Sequence, residues 1–258
     1  MTTVTGSLSV DSPADGVARV TIDNAAKRNA LDRPILEALA ATLPDLDARC
    51  IVLTGAGDVF SAGYDIADLA PERLAEEAAE LLTHPFEAAL AALDAVEVPV
   101  VAAMGGHAFG GGLELALACD LRVCAPAAKL GMPPARLGVV YSHTGLRRFV
   151  DAIGAARTRE LFLTARPITA ATALAWGLVN EVTDDVAGRA VALAAEIAGL
   201  APLSLRGTKR VLRALHSEPG ADELAELHAL RDAAFRSDDF AEGVRAFIEK
   251  RQPRWRGT

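Results

Sequence analysis

Glu114 is the residue whose position most needs a chemical explanation. It lies in Gly110-Gly-Gly-Leu-Glu-Leu-Ala-Leu-Ala-Cys-Asp120, where an apolar run predicts a helix from about Gly112 to Cys119. A carboxylate among leucines and alanines is costly to bury unless it is paired or protonated. The glycines ahead of it leave backbone N–H groups at a helix N-terminus, where an oxygen gaining negative charge is stabilised. A simpler reading has the glycines permitting close packing and Glu114 complementing the helix dipole. For three glycines alone that simpler reading leads. A second glycine-bearing segment, Phe60-Ser-Ala-Gly-Tyr-Asp-Ile66, stands upstream.

Other chemistries fit the residues poorly. Thr54-Gly-Ala-Gly57 follows an apolar strand, but no third glycine opens a helix, so a dinucleotide fingerprint fails. Neither Tyr64 nor Tyr141 is followed four positions on by lysine, as a short-chain dehydrogenase would have it. Ser61 lacks the first glycine of a nucleophile elbow, and no metalloprotease, calcium-loop or phosphate-loop pattern occurs. His84, His107, His143, His216 and His228 are scattered, so no metal site is expected. Cys50, Cys119 and Cys124 are an odd set without ligand spacing, which points to a reducing cytoplasm.

The elements that must position these residues alternate. Val17–Ile22, Cys50–Thr54, Val98–Met104 and Leu121–Cys124 read as strands, and Asp32 reads as the N-cap of a helix running to Leu43. An acidic, alanine-rich stretch after Pro71 reads as two helices divided by Pro85. Helices then dominate: about Glu160, Ala170–Trp176, Ala187–Leu200, Leu203–Leu215, Asp222–Phe235 and Phe240–Lys250. The fold class is therefore α/β with a helical C-terminal region, divided near Leu200 into a core of 1–200 and an appendage of 201–258. A length of 258 residues suffices for a sizeable core. A net charge of −8 disfavours nucleic acid and anionic membranes as partners. The polar N-terminus does not read as a signal peptide, and no apolar run approaches the ~20 residues of a membrane span.

Five ordered segments together resemble the crotonase (enoyl-CoA hydratase/isomerase) superfamily along essentially the whole chain. They are Asn24-Ala-Ala-Lys-Arg-Asn-Ala-Leu31, Phe60–Ile66, Gly110–Asp120, Pro167-Ile-Thr-Ala through Ala175-Trp-Gly-Leu-Val-Asn180, and Ala246-Phe-Ile-Glu-Lys-Arg251. The resemblance implies a ββα spiral core and a trimer, or a hexamer of two trimers. It implies an acyl-CoA substrate with no separate cofactor, coenzyme A being part of that substrate. The backbone N–H groups of Tyr64 and Gly111 would form an oxyanion hole for the thioester oxygen. Lys27, Arg28, Ala62, Asp65 and Ile66 would lie along the CoA, with Lys250 and Arg251 reaching it from a neighbouring subunit or serving as solvated surface charge.

The chain departs from the hydratase pattern. Relatives that hydrate enoyl-CoA use two glutamates; the first aligns with Glu114, but the second position, in Leu130-Gly-Met-Pro-Pro-Ala-Arg-Leu-Gly138, holds Pro134. Proline transfers no proton, which argues against two-glutamate hydration and equally against isomerisation. The following Leu137-Gly-Val-Val-Tyr-Ser-His-Thr-Gly145 resembles the methylmalonyl-CoA decarboxylase branch, with Tyr141 as the group orienting a departing carboxylate and His143 or Glu114 assisting. In that branch a histidine stands where this chain has Tyr64. The expectation is an acyl-CoA lyase that stabilises a thioester enolate. Hydration or isomerisation through Glu114, and acyl-CoA binding without catalysis, are the alternatives.

Overall fold

A computed structural model describes residues 6–65, 82–216 and 219–258. The chain begins with an antiparallel pair, β1 (Ser7–Ala14) and β2 (Val17–Asp23). Helix α1 (Arg33–Thr42) follows, with the Asp32 carboxylate accepting from Ile35 N at its N-cap and from Gly6 N at 2.8 Å. Then come β3 (Cys50–Gly55), β4 (Val59–Ser61) and, after a wide turn at Leu82–Phe86, α2 (Glu87–Ala95). The next units are β5 (Val100–Met104), β6 (His107–Phe109) and α3 (Gly111–Ala118), then β7 (Leu121–Cys124), β8 (Lys129–Gly131), the single turn α4 (Pro134–Leu137) and α5 (His143–Thr164). Short β9 (Ile168–Thr169), α6 (Ala170–Trp176) and β10 (Glu181–Val182) lead into α7 (Val186–Ala198). Helices α8 (Pro202–Ala214), α9 (Ala221–Arg236) and α10 (Asp238–Glu249) complete the chain.

From β3 to β8, successive strands go alternately to two sheets. One is ordered β1-β2-β3-β5-β7-β10 and the other β4-β6-β8-β9. The runs β3-β4-α2, β5-β6-α3 and β7-β8-α5 thus repeat one strand in each sheet and then a helix, which is the expected ββα spiral. The period-2 alternation of strands decides the two cores. Ile51, Leu53, Ala102 and Met104 face the main core with Phe60, Leu113 and Phe149, while Cys50, Val52, Val101 and Ala103 pack against Ala190 and Ala194 of α7.

Most predicted strands and helices occur with ends moved by one or two residues, but the helix expected about Glu160 is the end of the long α5, which begins at His143. The sequence reading missed the exposed edge strand β1 and the two- or three-residue strands of the smaller sheet, which are too short for a periodic signal. The first half of the alanine-rich stretch lies outside the described residues. In its second half Pro85 sits inside the wide turn that opens α2. The break expected nowhere is at Gly154, whose backbone (φ 76°) interrupts α5. The C-terminal helices join the core through α8, where Lys209 Nζ donates to Val98 O at 2.9 Å and pairs with Asp120 at 2.7 Å. Among the described residues no single helix is long and apolar enough to cross a membrane.

Helix α3 reaches its depth because Gly112 has no side chain. A Cβ there would lie 2.6 Å from Ser61 Cβ and 2.7 Å from Ser61 O, a backbone atom that cannot swing aside. Gly112→Ala should therefore lose roughly 1–3 kcal/mol of stability through overpacking. Gly207→Ala, on α8 with open space around its Cβ, should instead gain about 0.5–1 kcal/mol. Urea denaturation of the two variants checks both signs.

Candidate active site

The Asn24–Leu31 loop and the Phe60–Asp65 segment lie side by side. Ala62 N donates to Arg28 O at 3.0 Å, Leu31 N to Gly63 O at 2.7 Å and Asp65 N to Leu31 O at 3.1 Å. Asn29 anchors the loop by donating to Ala56 O and Val59 O, and the Ser61 hydroxyl donates to Asn29 O. The residues on either side of Tyr64 thus use their polar groups on Leu31, and the alternation of an extended chain turns the Tyr64 N–H to the opposite side. That side faces α3. A Cβ on Gly63 would be 3.3 Å from Gly111 N and 2.7 Å from Phe109 O, and the φ of +93° at Gly63 independently disfavours a side chain. Among the described residues neither the Tyr64 N–H nor the Gly111 N–H has a hydrogen-bond acceptor. Two open donors therefore lie near one another at the mouth of α3.

Glu114, one turn into α3, is 2% exposed. Its partner comes from another element: the Tyr141 hydroxyl, just ahead of α5, donates a very short hydrogen bond to Glu114 Oε2. Helix α5 approaches closely enough because residue 145 is glycine. A Cβ there would lie 2.6 Å from Tyr141 Cε1 and 2.8 Å from Glu114 Oε1. The Ser142 hydroxyl caps α5 by accepting from Gly145 N at 3.1 Å. Behind the pair, Tyr141 meets Phe162 edge-on at 5.4 Å. Tyr64 meets Phe86 at 4.8 Å and 85°, and its phenol is within hydrogen-bonding reach of Tyr141.

Burial governs the electrostatics of this cluster. It pushes the Glu114 carboxyl above the usual carboxylate range, against the smaller pulls of the Tyr141 hydrogen bond and the Arg148 charge. Arg148 is itself tied to Asp94 through both guanidinium ends. Burial also raises both tyrosines, Tyr64 further by the Glu114 charge and Tyr141 by the Tyr64 charge and then that of Glu114, so both remain neutral phenols at physiological pH. The three thiols are buried and pushed up to about 12 (Cys50), 12 (Cys119) and 11 (Cys124), so they stay protonated and inert.

The profile of the enoyl-CoA hydratase/isomerase family matches residues 13–258. A "Probable enoyl-CoA hydratase echA6" of Mycobacterium leprae is 36% identical over 254 residues, 95% of this chain and 98% of that protein. The chain belongs to the enoyl-CoA hydratase/isomerase family. A "Probable enoyl-CoA hydratase" of Bacillus subtilis is 37% identical over 251 residues, 93% of this chain and 95% of that protein. The crystal structure of an enoyl-CoA hydratase from Bacillus anthracis superposes with a TM-score of 0.87 at 30% identity, covering 97% and 99% of the two chains. The protein is an acyl-CoA enzyme of this family, and the relatives named here carry hydratase names.

Against that family pattern, the expected site residues divide. Glu114, Tyr141, Tyr64 and Gly111 converge. Ala62 is exposed beside the Arg28 backbone, and Arg28 is exposed at a left-handed turn (φ 56°). Lys27 and Asp65, both expected along CoA, pair with each other at 2.7 Å. Ile66 lies outside the described residues. His143 is exposed at the first position of α5 and, among the described residues, has no hydrogen bond to Glu114 or Tyr141. Arg251 is engaged by Glu242 and Glu249 of its own chain. Asn180, from the fourth motif, is structural: its side chain accepts from Arg122 N and its N–H donates to Arg122 O. The sequence reading missed Gly145 and Arg148; a glycine and an arginine within two turns of a candidate tyrosine are the signal that could have found them.

Because folding raises the Glu114 pKa, the stability this group contributes is complete below the ordinary carboxylate pKa and is lost as pH rises through the folded-state value. Glu114→Gln removes that loss while keeping an acceptor for Tyr141. The variant should melt above the wild type at pH 8, by roughly 2–4 °C for each kcal/mol relieved, with the margin shrinking toward pH 4. Thermal scans at the two pH values read it directly.

Proposed function

We propose that this protein is an acyl-CoA lyase that generates and protonates a thioester enolate, and that its reaction is decarboxylation of a methylmalonyl-type 2-carboxyacyl-CoA. The observation that carries this reading is the Glu114–Tyr141 hydrogen bond in a site whose second-glutamate position holds Pro134. One carboxyl group and its phenol can return a proton to carbon; hydration asks for a base on water as well as an acid on carbon.

In this mechanism the thioester oxygen accepts from the Tyr64 and Gly111 backbone N–H groups. The bond from C2 to the carboxylate breaks, CO2 leaves, and the electron pair enters the enolate, whose oxygen gains charge against the two fixed donors. Each such donor typically lowers the barrier by ~2.7–4 kcal/mol. Glu114 then gives its proton to C2. Burial favours the protonated carboxyl that this step consumes. Tyr141 holds Glu114 at the reacting carbon. Lys27, Arg28, Ala62 and Asp65 border the CoA, with the Lys27–Asp65 pair holding the border together. The trimer that the family resemblance implies would cover apolar side chains exposed on α10, such as Phe247 and Ile248.

Hydration of an enoyl-CoA through Glu114 is the second reading, favoured by the hydratase names of the relatives. Purified protein offered methylmalonyl-CoA should release CO2, and offered crotonyl-CoA should leave it largely unhydrated. Rapid hydration without CO2 release reverses the order, and acyl-CoA binding with neither reaction supports a binding role. Tyr141→Phe should lower kcat for CO2 release by roughly 10²-fold with CoA affinity kept. Unchanged turnover removes Tyr141 from the mechanism.

A further inference from the structure

Glu114 must hold a proton in order to give one to an enolate, yet a cation stands on the helix face that meets it. Gly145 marks the close approach of α5, since a Cβ there would lie 2.8 Å from Glu114 Oε1. Arg148 follows three residues later, along the same face of α5. Its charge acts on Glu114 and favours the carboxylate form. The guanidinium is nonetheless turned toward α2, where Nη1 donates to Asp94 Oδ1 at 3.0 Å and Nη2 donates to Asp94 Oδ2. The Arg148 and Asp94 side chains are 26% and 38% exposed, whereas Glu114 is 2% exposed. A pair at this rim keeps part of its water, while a pair with Glu114 would bury both charges.

The other neighbours push the same way. Among the described residues, the titratable groups facing Glu114 are Tyr141 just ahead of α5, Arg148 on α5, Tyr64 on its extended segment, and Glu87 and Asp94 on α2. Glu87 and Asp94 are seven residues apart, so they share one face of α2, and both favour a proton on Glu114. His107 of β6 accepts from Lys129 N, and Arg122 of β7 donates to Cys119 O at the far end of α3, so neither faces the carboxyl. Two acids against one cation add to the effect of burial.

We propose that Asp94 is a positioning residue for the proton of Glu114: it draws the Arg148 guanidinium out to the rim and keeps that cation from fixing Glu114 as a carboxylate. This rests on the reading of Glu114 as the acid that protonates a thioester enolate. Each turnover moves the Glu114 proton to C2 and leaves a carboxylate, which takes its next proton from water. An Arg148 free to pair with that carboxylate would oppose the reloading. The ion pair thus sets proton affinity as well as joining α2 to α5.

The test follows the Glu114 carboxyl by infrared difference spectroscopy across pH, with Glu114→Gln as the blank, beside the pH profile of kcat for CO2 release from methylmalonyl-CoA. Asp94→Asn removes one negative charge and frees Arg148; the Glu114 titration and the alkaline limb of kcat should both move down by about one pH unit. Arg148→Gln should move both upward. Asp94→Glu returns the charge and should bring both back toward wild type. If Glu114 titrates unchanged in Asp94→Asn, or if Asp94→Asn and Arg148→Gln shift it in the same direction, the pair is a mechanical clamp only and the assignment fails. If the infrared titrations move apart as expected while the alkaline limb of CO2 release ignores both substitutions, Glu114 is not the proton donor and the positioning role falls with it. If they move apart while wild type releases no CO2, the charge assignment stands and the lyase reading alone fails.

Discussion

Burial strips the Glu114 carboxyl of water, and the donor that compensates it is carried by a different element. Tyr141 precedes α5, whereas Glu114 is on α3, so their hydrogen bond holds only if the two helices keep their separation. Much of the surrounding packing serves that condition. Phe149 and Phe162 of α5 stack edge-to-face at 5.0 Å behind Tyr141, and Arg148 clamps α5 to Asp94 of α2. A buried polar pair of this kind is costly when half broken and rigid when complete.

The approach distances come from missing side chains. Gly112 brings α3 against Ser61, Gly111 makes room for the Tyr64 ring, and Gly145 lets the start of α5 reach both Tyr141 and Glu114. Each glycine stands at an element boundary where two backbones, or a backbone and a reacting side chain, come within van der Waals contact. The same boundaries leave the Gly111 N–H open at a helix start and turn the Tyr64 N–H away from its strand-like pairing with Leu31. Donors and carboxyl are thus consequences of one close-packed junction between the two sheets and α3.

Local pattern carried much of the architecture. Apolar, β-branched runs such as Cys50–Thr54 and Leu121–Cys124 marked their strands to within a residue, and Asp32 marked the start of α1. The strands of the smaller sheet, β4, β6, β8 and β9, are two or three residues long, too short for alternation to register. Charges on the surface were the least legible. Lys27 and Asp65 looked like separate contacts to CoA and are partners 38 positions apart, and Arg251 binds glutamates of its own chain. Ion pairing is a matter of distance in space, which sequence separation does not encode.

What the sequence by itself determined is the family, the anomalous carboxylate in the first turn of an apolar helix, and the proline where a second glutamate was expected. Those are statements about residue identity at ordered motifs. Only the tertiary structure decided which hydroxyl goes where. Two tyrosines 77 positions apart are equivalent phenols on paper. The fold gives Tyr141 the carboxylate of Glu114 and lays Tyr64 over Gly111, because a phenol has one proton to donate and packing chooses its acceptor.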